Sequence, residues 1–216
     1  MRPDLVVISS SSLVVGVMCL VFGAALNPAE AGAGVSAAIG SAVIAGDRWL
    51  GMAVLWLCAS VAMTCGMPAV LSLFRSRAHR LGTLAVTVFS IGTVGISGFA
   101  MLLVFTRALV ANDAVRADRL TGVTSDPGLA VVLWSVAIGF YLGALLVAAA
   151  LLVSRATPVW VPILLVAFVV LMPLEGLLGM AGQVARLMAL AIAFTGIAIS
   201  AVAQTDQAVH TATYSA

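Results

Sequence analysis

Across 216 residues the chain is 63% hydrophobic and only 8% charged, with a formal net charge of +2 and a mean hydropathy of +1.22. So little polar surface cannot cover a water-soluble fold of this size. All ten basic residues are Arg, which excludes Lys Schiff-base chemistry, retinal binding included, and their position at the ends of apolar runs speaks of membrane orientation and against a nucleic-acid partner.

The apolar runs exceed the roughly 20 residues that a helix needs to cross a hydrocarbon core of about 30 Å. They are apolar all round and do not alternate in polarity, so the fold class is all-α: a polytopic membrane helical bundle with about six transmembrane helices forming one domain. The first span covers about 5–26, and Asn27-Pro28 ends it because the residue before Pro leaves the helical region. Ala29-Glu30-Ala31 resembles a small-residue cleavage site. Asp4, however, stands where a signal peptide carries a basic flank, so the run is read as a span whose start Asp4 caps. From Asn27 to Gly46 the chain is rich in Gly and Ala, which suits a surface loop with a short helix or a shallow re-entrant segment.

Span two, 49–74, is closed by the basic run Arg75, Arg77, His79 and Arg80. Span three, 81–110, is longer than the hydrocarbon core, so Arg107 should emerge among the headgroups or the helix should tilt. A polar loop with Asp113, Arg116, Asp118 and Arg119 leads to Asp126-Pro127-Gly128, a turn signal opening span four at 129–153. Arg155 and Pro158 precede span five, 159–180; span six is 187–203, and a short polar tail begins at Gln204. Six spans put both termini on one side. The Arg residues divide five against five between the two sides, with Arg186 counted outside, and the density of the Arg75–Arg80 cluster places that loop and both termini in the cytoplasm.

Gly92, Gly95 and Gly98 on span three, and Gly139 and Gly143 on span four, predict close helix contact. Spans one to three do not echo spans four to six, so the inverted repeat of many transporters is missing. Cys19, Cys58 and Cys65 form no C-x-x-C and are read as small buried hydrophobes. The absence of H-E-x-x-H, G-x-S-x-G, a nucleotide-binding Gly-rich loop and paired Asp-rich motifs argues against metal hydrolysis, triad catalysis and phosphotransfer, and no cofactor or metal is expected.

The chemistry that remains centres on Glu175, the one acid well inside a span. Pro173, two residues earlier, should kink the helix and open space beside the carboxyl. Glu175 is then either a proton donor or an interhelical staple paired with Arg186 or Arg48. Trp49 and Trp56 share one face of span two, as Trp134 and Tyr141 share one face of span four beside Phe140. Trp49 and Trp134 suit an interfacial aromatic belt, whereas Trp56 and Tyr141 lie about 10 Å deeper, as core filling or as contacts to a substrate. Asp47 and Arg48 at the rim either cap span two or tune Glu175 and hold the polar end of a lipid-soluble substrate.

The Asn27-Pro28 break after span one, the basic loop after span two and the Trp160-Val161-Pro162 entry to span five resemble small, Lys-poor, multi-spanning proteins of high-GC bacteria. One subset of these with the same size and plan is the bacterial membrane-bound terpene cyclases, and the resemblance extends over the whole chain in architecture. It implies a place in the bacterial cytoplasmic membrane, a lipophilic prenylated substrate, Glu175 as the general acid that protonates an alkene or epoxide, with Asp47 as the next candidate, and aromatic rings that stabilise the carbocation. The competing class is non-enzymatic: an exporter of lipophilic compounds, or a scaffold packed against a partner.

Overall fold

The long apolar runs fold as helices, and every regular element among the described residues is helical. The computed structural model describes residues 3–27, 47–74, 78–112, 114 and 126–214, the side chains of Pro3, Val110, Glu175, Met180 and 208–214 excepted. In chain order the helices are α1 Pro3–Ala25, α2 Asp47–Ser72, α3 His79–Ala111, α4 Pro127–Ser154, α5 Trp160–Val170 and α6 Glu175–Tyr214. The segment 28–46, Arg75, Arg77, Asp113 and the charged residues of 115–125 lie outside the described residues.

Among the described residues, five apolar helical stretches are long enough to cross a membrane: Asp4–Ala25, Asp47–Ser72, His79–Leu109, Pro127–Ser154 and Ala181–Gln207. Helix α4 shows how local chemistry sets such a boundary. The Asp126 carboxylate accepts from the Leu129 N–H at 2.8 Å, Pro127 occupies the first turn where its missing N–H costs nothing, and Arg155 ends the helix in the left-handed region with its N–H returned to the Leu151 carbonyl.

The fifth apolar run, expected as one helix over 159–180, is interrupted. Helix α5 stops at Val170, the chain passes through turns at 171–174, and α6 starts at Glu175. Pro173 supplies the reason: it has no N–H, and its ring would collide with the carbonyl four residues back in a continued helix. A second interruption falls at Gly179 (φ 56°, ψ −139°), a conformation that a side chain would oppose. Beyond it α6 runs on past Gln204, where the sequence suggested only a short tail, and reaches Tyr214.

Each helix packs on the next in chain order, and α6 returns onto α1 to close a ring, while also touching α2 across it. Among the five long spans, that of α6 is the most buried. Because lipid tails are as apolar as Leu, this association depends on close packing and interhelical hydrogen bonds. Gly92 and Gly143 provide the packing between α3 and α4: a Cβ on Gly92 would fall on the Phe140 backbone, and one on Gly143 on the Phe89 backbone. Gly16 and Gly66 do the same between α1 and α2, against Met63 and Leu13. Gly98, of the same sequence cluster, faces open space. A polar seam joins α2 to α3, where the Ser60 hydroxyl donates to the Thr93 carbonyl at 2.6 Å and Thr64 lies 3.4 Å from the Thr93 hydroxyl.

The outward faces carry Ile8, Phe22, Val61, Ile91, Phe105, Val131, Leu152, Ile163 and Ile199, all exposed. An apolar surface that continues around the bundle has no place in water, and here it is the face that meets lipid. Cys58 and Cys65, expected inside, are on that exposed side, and Cys19 is half-buried. A thiol is apolar enough for either place.

Candidate functional site

A node of aromatic rings with one guanidinium joins four helices of the bundle. Phe89 of α3 stacks on Phe140 of α4, with ring centres 5.0 Å apart, and meets Phe194 of α6 at 5.3 Å. Phe140 is edge-on to Phe168 of α5 at 5.9 Å, and Tyr141 is stacked on Phe168 at 5.5 Å. Arg186 of α6 completes the group: its Nη1 donates to the Tyr141 hydroxyl at 2.6 Å, and its guanidinium carbon lies 5.3 Å from the centre of the Phe168 ring. Four helices therefore converge through side chains of complementary character, a cation on the negative faces of two rings and a short bond to a phenol.

Depth gives the node its meaning. Tyr141 stands 14 residues after Pro127 and 13 before Ser154, in the middle of α4 and roughly 20 Å of helical rise from either end. Its partner Arg186 is half-buried and inside the apolar span Ala181–Gln207, five residues from the start of that span. This corrects the expected loop position of Arg186 outside span six. The sequence did contain a signal for it, since Arg186 is the one charge between Ala181 and Gln204, but a charge near the edge of an apolar run reads as a boundary.

Comparison with known proteins adds nothing to this. No protein family, curated protein or solved structure matches the chain.

Of the residues picked out from sequence, Phe140 and Tyr141 belong to the node. Phe89, Phe168 and Phe194 were missed, since a helical sequence gives no sign of which Phe faces which, and Arg186, singled out as a partner for Glu175, pairs with Tyr141. Glu175 is the first residue of α6, just past the break at Pro173, and the direction of its carboxyl lies outside the described side chains. The two tryptophans of α2 form a separate cluster. Trp49 is 1% exposed, packed with Met52 and Leu103, where an interfacial belt residue was expected; Trp56 stacks on Phe99 at 5.8 Å. Gly23 of α1 makes room for the Trp56 indole. The ring partner of Trp56 is on α3 and the partners of Tyr141 are on α4 and α5, so the two sequence-predicted aromatic faces line different helix junctions. Trp134 is 64% exposed on the outward face of α4.

At the rim, Asp47 accepts from Arg107 at 3.3 Å, and Arg48 is exposed. The Asp47 side chain is 99% exposed, so this ion pair is one that water and salt screen. Asp47→Asn is expected to leave thermal unfolding in detergent unchanged, and a clear loss of stability would show that the pair fastens α2 to α3.

Proposed function

We propose that this protein holds the polar end of a lipophilic small molecule inside the bilayer, at the node formed by Arg186, Tyr141 and Phe168. The observation that carries the reading is the half-buried Arg186, held among aromatic rings inside the apolar span Ala181–Gln207. An ionisable residue inside such a span is costly to keep there and marks a site of function by default. Rings around it offer the apolar walls that a prenyl chain or similar hydrocarbon needs.

Within this reading, cyclisation of a prenyl chain by protonation is the activity that also uses Glu175, which starts α6 directly after the break at Pro173. The cation on the faces of Tyr141 and Phe168 repels a carbocation there. Phe89, Phe140 and Phe194 are the rings left for that role, and Arg186 takes the oxygen-bearing end of the substrate. Glu175→Gln keeps shape but removes the transferable proton, and the expected result is loss of cyclised product with retained binding of a prenylated substrate analogue. Full turnover by the Gln variant would remove Glu175 from the mechanism.

A second reading is favoured by the fullness of the node: its rings cover one another and Arg186 already occupies two of them. In this reading the cluster is a polar fastening in a non-enzymatic scaffold or exporter. A photoactivatable prenyl probe separates the two. Labelling of α4, α5 or α6 that an unlabelled prenyl alcohol displaces supports the site, and labelling confined to lipid-facing residues supports the scaffold.

For orientation, Arg186 no longer counts as a loop residue. By sequence position, the first end, with the start of α1 and the α2–α3 and α4–α5 connections, is flanked by Arg2, Arg75, Arg77, Arg80 and Arg155, and the other end by Arg48, Arg107, Arg116 and Arg119. We place the first end in the cytoplasm of a bacterial cell. A Cys introduced at Asp118 should react with an impermeant reagent added outside and one at Arg77 should not; the reverse pattern inverts the assignment.

A further inference from the structure

We infer that the outer groove between α2 and α3 is a binding site for one anionic phospholipid. The groove has a volume of about 660 Å³ and is lined by Thr64, Met67, Pro68, Leu71 and Ser72 of α2 and by His79 and Val86 of α3. These α2 positions recur at helical spacing on one face, and Val86 is one heptad from His79, so the groove follows the two helices inward for roughly 10–12 Å from the helix ends. It opens toward lipid, because Pro68 and Ser72 lie one heptad beyond the exposed Val61 and Cys65. Its hydroxyls are already engaged inward: Thr64 donates to the Ser60 carbonyl and Ser72 to the Ala69 carbonyl, leaving a wall that suits an acyl chain.

The mouth supplies the complement for a phosphate. His79 and Arg80 are exposed at the first turn of α3, where the helix dipole also favours an anion, and no acid lines the groove among the described residues. With Arg80 at the mouth and no acid in the described lining, an anionic headgroup is preferred to a zwitterionic one. The inference does not rest on the Arg186 node, which joins α3 to α4, α5 and α6 and shares no residue with the groove.

The test is native mass spectrometry of the delipidated protein titrated with phosphatidylglycerol and with phosphatidylcholine of the same acyl chains. The wild type is expected to bind phosphatidylglycerol several-fold more tightly. Arg80→Gln should weaken phosphatidylglycerol about fivefold and leave phosphatidylcholine unchanged, the factor one basic residue contributes at an anionic lipid surface. Leu71→Trp, which fills the groove, should weaken both lipids, and Val86→Phe fills it from the facing helix should the first variant not fold. Equal affinity for the two lipids would overturn the proposal. So would groove-filling variants that bind phosphatidylglycerol as the wild type does, since that describes adsorption to a basic surface, and so would displacement of the lipid by inorganic phosphate alone.

Discussion

Gly92→Leu is expected to prevent stable assembly of the bundle, whereas Gly98→Leu, six residues along the same helix, should be tolerated. At Gly92 the backbones of α3 and α4 are in direct contact, and a Cβ there would overlap the Phe140 amide, so a flexible side chain cannot move aside to make room. The helices must separate, which opens the Phe89–Phe140 stacking and with it the node below. Overpacking a filled core typically costs about 1–3 kcal/mol, and backbone overlap belongs at or above the upper end. At Gly98 nothing lies within 4 Å, and a Leu side chain would enter lipid while improving helix propensity by roughly 1 kcal/mol. Unfolding in detergent, followed by circular dichroism as SDS is added, measures both. Similar stability of the two variants would mean that α3 and α4 do not meet along Gly92.

That pair also marks how far the sequence could be read. The bundle was legible because composition and run length are averages over many residues, and any helix in a bilayer must satisfy its own backbone. The glycine cluster announced a close contact on span three. It could not say that Gly92 and Gly95 face α4 while Gly98 faces lipid, because that depends on how the helix is rotated against its neighbour. Pro173 announced a kink in the fifth run, since its effect on the backbone is local and fixed by covalent structure, and the structure goes further and interrupts the helix there. Gly179 did not, because Gly permits a turn without requiring one. Trp49 was placed in the belt from its distance to the membrane edge, and the structure buries it through Leu103 and Met52, contacts between helices that spacing along one helix does not contain.

Arg186 is where reading by position failed and reading by partner succeeds, and Arg186→Met is the larger of the tests that follow from it. Removing the guanidinium takes away the bond to Tyr141 and the contact with Phe168, yet it also removes a charge that is costly to hold in the span. The two effects offset one another: a charge-assisted bond contributes about 1.5–3 kcal/mol and a desolvated cation–π contact about 2, against an insertion cost of up to about 2.5–3.5 kcal/mol, its value at a helix centre. The Met variant should therefore stay folded, and under the proposed function it should lose binding of an oxygen-bearing prenyl probe by at least about tenfold. Tyr141→Phe deletes a single oxygen but leaves the charge in place without its phenol partner, so it is expected to lower stability by about 1–3 kcal/mol, more than Arg186→Met does. If both variants bind the probe as the wild type does, the node is a fastening and the site lies elsewhere. If Arg186→Met unfolds the protein while Tyr141→Phe does not, the guanidinium is held mainly by groups other than the phenol, and the short bond to Tyr141 is not what fixes it at that depth.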